Sequence, residues 1–383
     1  MTDYIIFGKP SIKKEEIDEV VDSLKSNWLG TGPKVKKFES DFSIYKKTSN
    51  SVALNSCTAG LHLSCIALNF KKGDEVITSA MTFCATVNSI IHSGATPVIA
   101  DIDPLTWNID PISIEEKITS RTKAIIPVHF AGRACDMDRI MQIAKKYNLY
   151  VIEDCAHAIE TEYKGKKAGT IGDLGVFSFY ATKNIVTGEG GMVISEKNNL
   201  ISRIKTLGLH GMSNDAWKRF SDSGYKHYKV EEAGFKYNML DIQASIGIHQ
   251  LKKVEVYSKR RELIWDFYLR EFSNYPISMA SDVEENTKHA YHLFIIRVNK
   301  QKSGINRDDF LNKMHKKKIG CGVHYEAIPK HPFYKKSFDW NLADYKNSVR
   351  FGEETVSLPL SGTLTDNEVE RITKAVKDIF DGS

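Results

Sequence analysis

No two of the six cysteines, Cys57, Cys65, Cys84, Cys135, Cys155 and Cys321, stand in the C-x-x-C spacing that a zinc or redox site favours. They read as reduced thiols, and no metal is expected. No run of about 18 apolar residues occurs, so no membrane-spanning helix is expected. The start, Met1-Thr2-Asp3-Tyr4, lacks the basic stretch and apolar run of a secretory signal. The expectation is a soluble, cytoplasmic protein. An excess of one charge is also missing. The 53 Lys and Arg against 48 Asp and Glu leave +5, spread along the chain, which argues against a nucleic-acid or membrane-surface partner. Neither the G-x-x-x-x-G-K-[ST] nor the G-x-G-x-x-G spacing is found, which removes the P-loop and dinucleotide readings. There is no internal repeat and no linker-like run.

What remains is ordinary globular composition: 383 residues, 42% hydrophobic and 26% charged, a length for two or three domains. Lys13 to Asn27 place Ile17, Val20, Val21 and Leu24 at helical spacing before Gly30-Thr31-Gly32-Pro33 stops the helix. From Glu75, short apolar runs alternate with helical patterns. The runs are Glu75 to Thr78, Pro97 to Ala100, Ala124 to His129, Tyr150 to Glu153, Val176 to Tyr180 and Met192 to Ser195; Ile140, Met141 and Ala144 share a helical face between them. Such alternation predicts an α/β fold with a mainly parallel sheet covered by helices. Near Asp241 one long helical stretch begins and reaches about Phe272, a lever between a large domain and a smaller C-terminal one. Leu293 to Val298 reads as a strand, and Thr365 with Glu368 forms a capping box ahead of Val369, Ile372, Val376 and Ile379.

Three elements offer chemistry. Ser178 and Lys183 follow an apolar strand and precede Gly188, Gly190 and Gly191. A lysine partly desolvated at the mouth of a sheet has a lowered pKa and can form a Schiff base with a carbonyl; a solvated surface lysine is the plainer alternative. Asp154 ends the strand Val151-Ile-Glu-Asp154, 29 residues before that lysine, where it can face a buried cation, ligate a metal or cap a helix. Asn55-Ser56-Cys57-Thr58-Ala59-Gly60 precede a helical pattern, and free N–H groups at a helix start form an anion site or an ordinary cap. Jointly, an amine that traps carbonyls, an acid and a phosphate cradle suit pyridoxal 5′-phosphate (PLP) at one edge of an open sheet.

Along nearly the whole chain the sequence resembles the DegT/StrS-type sugar aminotransferases, PLP enzymes of the aspartate-aminotransferase fold. The matching stretches are Trp28-Leu-Gly-Thr-Gly-Pro33, Asn55 to Leu63, Gly73-Asp-Glu-Val-Ile77, Gly94-Ala-Thr-Pro-Val98, Ile152-Glu-Asp-Cys-Ala-His157, Phe177 to Gly191, Gly234-Phe-Lys-Tyr-Asn238 and Ser357-Leu-Pro-Leu360. Ala124 to Phe130, Tyr237-Asn238 and His292 to Arg297 look most like the subfamily that makes UDP-4-amino-4-deoxy-L-arabinose.

The resemblance implies a seven-stranded sheet in a large PLP-binding domain over 1–250, with a smaller α+β domain over 251–383. It implies that Lys183 binds the cofactor covalently and shuttles a proton, that Asp154 keeps the pyridine nitrogen protonated, and that Ser178, Thr58 and Ala59 hold the phosphate. Phe83 would stack on the ring, where that subfamily more often has Trp; Phe keeps the stacking area without an indole donor. His157 would lie near the ring or pack in the core. Asn238 would reach the phosphate of a neighbouring subunit, making a homodimer with shared sites. His324 and Tyr325 would approach the substrate, as would Thr31. Lys34, Lys36 and Lys37 would help hold a diphosphate or form a solvated charge run.

The implied reaction takes an amino group from L-glutamate to a UDP- or dTDP-linked 4-keto sugar, for surface polysaccharide or glycan synthesis. A dehydrating branch of the family has histidine where Lys183 stands, which favours transamination here. A keto-sugar dehydratase and a non-catalytic sugar-nucleotide-binding regulator are the alternatives.

Overall fold

The computed structural model describes residues 4–213 and 229–382, so residues 1–3 of the start discussed above lie outside it. The chain opens with α1 (Lys14–Lys25) and α2 (Pro33–Lys46). Strand and helix then alternate: β1 (Asn50–Leu54), α3 (Cys57–Ala67), β2 (Glu75–Ser79), α4 (Cys84–His92), β3 (Thr96–Ala100), α5 (Pro111–Glu116), β4 (Thr122–Ile126), α6 (Met137–Tyr147) and β5 (Tyr150–Asp154). A hairpin, β6 (Glu162–Tyr163) and β7 (Lys166–Lys167), leads to β8 (Leu174–Ser178), β9 (Gly191–Ser195) and α7 (Asn198–Leu207). The rest comprises α8 (Asp241–Phe272), β10 (Phe294–Arg297), α9 (Lys300–Ser303), α10 (Arg307–Lys316), α11 (Pro332–Ser337), α12 (Lys346–Glu354), β11 (Thr355–Leu358) and α13 (Asp366–Asp381).

Seven strands form one sheet in the order β1-β9-β8-β5-β4-β2-β3. All run in one direction except β9, which is antiparallel to both β1 and β8. The mainly parallel seven-stranded sheet between helices is therefore present. Side-chain alternation divides its two faces. Val52, Leu54, Val176 and Val193 point to the side of α3 and α7, where Leu61, Leu63 and Ile204 pack. Ala53, Phe177, Met192 and Ile194 point to the side of α2 and α8, against Phe38, Phe42, Ala244 and Ile248. Phe38 and Phe42 are fully buried, so truncating either to alanine costs about 3–5 kcal/mol.

A second core gathers Ile264, Tyr268 and Phe272 of α8 with Phe294 and Ile296 of β10, Val356 and Leu358 of β11, and Ile372 and Val376 of α13. The 32-residue α8 thus carries one core as far as Val254 and the other from Ile264. A division between residues 250 and 251, which we keep as a proposal, falls inside this helix. The capping box at Thr365 is formed, with Thr365 Oγ1 accepting from the Glu368 N–H at 3.3 Å.

Two local features depart from simple amphipathic expectation. On α1 the buried residues are Glu16 and Ser23, tied to α8 through Gln250, Lys253 and Ser245, whereas Ile17, Val21 and Leu24 are exposed. At α2 the capping carboxylate comes from far along the chain. Asp241, 1% exposed, accepts from the N–H groups of Gly32, Lys34 and Val35 at 2.7, 3.1 and 3.0 Å.

Candidate active site

The C-terminal ends of β1, β2, β5 and β8 open onto one cavity of about 550 Å³, the position where open α/β sheets receive ligands. Thr58, Phe83, Asp154, His157, Ser178, Lys183, His324 and Tyr325 all line it. Of the other site residues singled out in the sequence, Ala59, Thr31 and Asn238 do not, nor do Lys34, Lys36 and Lys37. Ala59 is buried one position deeper in α3, and its N–H is taken by the Ser56 hydroxyl at 3.1 Å. Asn238 Nδ2 donates to Thr31 Oγ1 at 2.7 Å, and Thr31 in turn donates to the Met239 carbonyl. Those two residues stabilise each other away from this chain's own cavity.

The N-terminus of α3 supplies anion-binding donors. Ser56 caps Ala59, so Cys57 and Thr58, the first two residues of the helix, have N–H groups with no carbonyl inside it to bond. Glycine makes this end accessible to the sheet. A Cβ on Gly191 would lie 2.5 Å from Cys57 N and from the Ser56 carbonyl, and one on Gly60 would lie 2.6 Å from Val176 Cγ1. The small residues of this stretch thus allow α3 to seat on β8 and β9.

Asp154, at the end of β5, is 4% exposed. Its Oδ2 accepts from Thr86 Oγ1 at 2.8 Å and its Oδ1 from the Ala156 N–H at 3.1 Å. Burial raises its pKa, opposed by those two hydrogen bonds and by Lys183. Such a carboxylate is a strong counter-charge for a cationic ring nitrogen. Lys183 lies in the turn after β8, where its N–H donates to the Tyr180 carbonyl at 2.8 Å. Burial lowers its amine pKa to about 8, with Cys57 and Asp154 acting in the other direction. Lys183 itself is half-buried.

His157 has both ring nitrogens engaged. The Ala131 N–H donates to Nδ1 at 3.2 Å, so Nδ1 carries no proton. Burial, followed by Lys183, His292 and His324, holds the ring well below its ordinary pKa, and it is neutral. Its proton therefore sits on Nε2 and is donated to the Tyr325 hydroxyl at 3.0 Å. Burial raises the Tyr325 pKa, so the phenol keeps its own proton. His324 is pushed down to about 3, chiefly by burial, and its Nδ1 meets Ser357 Oγ at 2.8 Å. Phe83 is 56% exposed, with its ring 5.7 Å from that of Tyr325.

Lys34 is ion-paired with Glu19 and Asp22, and Lys37 with Asp41, so both cations already have carboxylate partners. A buried trio of His129, Glu153 and Cys155 has metal-ligand chemistry. Its carboxylate, however, already accepts from His129 Nε2 and from the N–H groups of Gly169, Ile171 and Gly172. That saturates the acceptor positions and makes it a strand-to-loop brace.

Sequence patterns missed Thr86, the hydroxyl on Asp154, and Asn184, whose side chain lies behind the lysine. Thr86, in the first turn of α4, lies four residues beyond Thr82, whose hydroxyl it meets at 2.8 Å, and that spacing was the available signal. The donor set fits PLP: free amides and hydroxyls suited to a phosphate, a buried carboxylate suited to a pyridinium, and a desolvated amine suited to an aldehyde.

Comparison with known proteins agrees. Residues 10–377 match the model of the DegT/DnrJ/EryC1/StrS aminotransferase family. An uncharacterized protein of Methanocaldococcus jannaschii is 52% identical over 371 residues, covering 97% of this chain and 96% of its own. The spore coat polysaccharide biosynthesis protein SpsC of Bacillus subtilis is 45% identical, covering 99% and 98%. Among solved structures, the candidate sugar aminotransferase Spr1654 of Streptococcus pneumoniae in its PLP form superposes with a TM-score of 0.90 at 35% identity, covering 99% of each chain. PseC of Helicobacter pylori, an aminotransferase involved in pseudoaminic acid biosynthesis, gives 0.91 at 28% identity over all of both chains. The chain belongs to the DegT/DnrJ/EryC1/StrS aminotransferase family and is a PLP-dependent transaminase.

Proposed function

We propose that this sugar aminotransferase moves the amino group of L-glutamate to the ketone of a UDP- or dTDP-linked 4-keto sugar, yielding a 4-amino sugar for surface polysaccharide or glycan synthesis. The observation that carries the proposal is a lysine at position 183, desolvated in the same cavity as Asp154, within a family of sugar aminotransferases. The similarity to SpsC supports a polysaccharide destination. The reading places the enzyme in the cytoplasm.

When bound, PLP supplies a carbonyl that takes up amines and a ring that accepts electrons. In this reading the N–H groups of Cys57 and Thr58, with the Thr58 and Ser178 hydroxyls, hold its phosphate. Ala59 contributes only as the buried continuation of that helix turn. Asp154, steadied by Thr86 and Ala156, holds a proton on the ring nitrogen. Phe83 would offer its ring for stacking on the cofactor. Lys183 would tether the cofactor through its amine, and the same amine, when free, would serve as the base that holds and returns a proton. His157 orients Tyr325, and Tyr325 and His324 face the substrate.

A homodimer is part of the proposal. The exposed apolar residues Ile17, Val21, Leu24, Trp28 and Leu29 at the start of the chain suit burial against a second copy. Thr31 and Asn238, unused in their own cavity, would serve that copy. Mixing Asn238→Ala with Lys183→Ala should then restore activity in hybrid dimers; no recovery counts against shared sites.

The direct test is a glutamate-dependent assay over UDP-, dTDP- and GDP-linked keto sugars, with nitrogen-labelled glutamate and mass spectrometry of the products. Transfer of the label into an amino sugar is expected. A product that has lost oxygen and gained no nitrogen would replace this reading with a dehydratase. Sugar-nucleotide binding without a glutamate half-reaction would replace it with a regulator.

A further inference from the structure

We propose that Asn184 is a positioning residue for Lys183, anchored from behind by the buried Glu160–Arg261 ion pair. The proposal rests on the reading that Lys183 bears the cofactor. Asn184 follows the lysine directly and uses its whole amide. Nδ2 donates to Glu160 Oε2 at 2.8 Å and to the Ala290 carbonyl at 3.0 Å. Oδ1 lies 3.0 Å from His292 Nδ1 and can only accept, so His292 carries its proton on Nδ1. Glu160 is fully buried and paired with the Arg261 guanidinium of α8, itself 3% exposed; Arg261 Nε also donates to the Ala290 carbonyl at 3.3 Å. Two segments therefore meet residue 184 directly, the loop after β5 and the stretch before β10, and α8 holds both of them through Arg261.

A buried ion pair contributes little that a well-packed apolar pair would not. What an apolar pair lacks is direction. A carboxylate held by a guanidinium fixes the orientation of the Asn184 amide. Because adjacent Cα atoms are about 3.8 Å apart, it thereby fixes the tether of the lysine. The same amide orients His292, whose ring centroid lies 4.4 Å from that of His157, the donor to Tyr325 in the cavity. One polar chain thus bears on both the amine and the phenol.

The test compares wild-type holoenzyme, Asn184→Ala and the double variant Glu160→Leu/Arg261→Met, which keeps the core filled but leaves the amide unanchored. The readouts are thermal unfolding, the pH midpoint of the visible absorption of the bound cofactor, and steady-state kinetics. Both variants should move the midpoint by about half a unit or more and lower kcat on the order of 10- to 100-fold, with the glutamate KM little changed.

A folded Asn184→Ala protein with wild-type midpoint and kcat overturns the proposal, and so does a double variant that behaves as wild type. Should Asn184→Ala not fold, nitrogen NMR of histidine-labelled wild-type protein decides: a proton on Nδ1 of His292 supports the anchor, and one on Nε2 alone overturns it. Borohydride reduction of wild-type holoenzyme, with peptide mass analysis, keeps the two levels apart. Label absent from Lys183 sinks the reading beneath the proposal, whatever Asn184 does.

Discussion

Replacing Gly191 by alanine tests whether the start of α3 binds the cofactor phosphate. The added Cβ would lie 2.5 Å from Cys57 N, Ser56 C and Ser56 O, all backbone atoms, whereas ordinary contact begins at 3.4 Å. Either the helix end or β9 must retreat by about 0.9 Å. Overpacking of this kind costs about 1–3 kcal/mol, a fall of a few degrees in Tm for a chain of this size. The effect on the site should be larger. Amides at hydrogen-bonding distance that withdraw by that amount leave the useful range, and each bond to a charged group contributes about 1.5–3 kcal/mol. PLP affinity, measured by absorbance titration, should weaken by about 10- to 100-fold even if only one such bond is lost. Gly188→Ala serves as the comparison. It lies in the loop that leads into β9, and its Cβ would meet nothing within 4 Å, although its φ of +83° adds strain of its own. A Gly191→Ala protein that loses stability but binds PLP as tightly as wild type would refute the phosphate role of this helix end.

Three further outcomes follow from the same geometry. Asp241→Ala removes the acceptor for three N–H groups at the start of α2 and should lower stability by about 2 kcal/mol or more, read by denaturant unfolding. In protein freed of cofactor, the rate of reductive labelling of Lys183 by an aldehyde should rise with pH, reach half its maximum at about pH 8 and level off above it, because only the unprotonated amine reacts and its pKa is lowered to about 8; continued rise towards pH 10.5 would show a solvated lysine. Glu160→Ala alone strands the Arg261 charge in the core and should cost about 3–5 kcal/mol, whereas the apolar double variant should recover most of that in thermal unfolding.

What could be seen in the sequence, and what could not, divides along the range of the interactions involved. Asp154, Ser178 and Lys183 were visible because each ends a strand or follows one, and strand ends are marked locally by the switch from apolar to polar residues. The span of α8 and the cap at Thr365 were visible for the same reason. β1 was not: Asn50-Ser51 begin it with polar residues, and only three apolar positions follow. The reversed direction of β9 was invisible because side-chain alternation is the same whichever way a strand runs. On α1, periodicity found the stripe of Ile17, Val21 and Leu24 but could not say what it faces. Within the chain, Glu16 and Ser23 turn inward because Lys253, Gln250 and Ser245 of α8 supply their partners. The residues behind the lysine are the extreme case. Glu160 and Arg261 are 101 positions apart, and each taken alone reads as an ordinary surface charge. A charge is kept in such a place only when another segment brings its counter-charge, so its meaning belongs to the tertiary fold. The candidate residues Asp154, Ser178 and Lys183 were therefore legible one by one, whereas the groups that orient them became identifiable only when the segments carrying them were brought together.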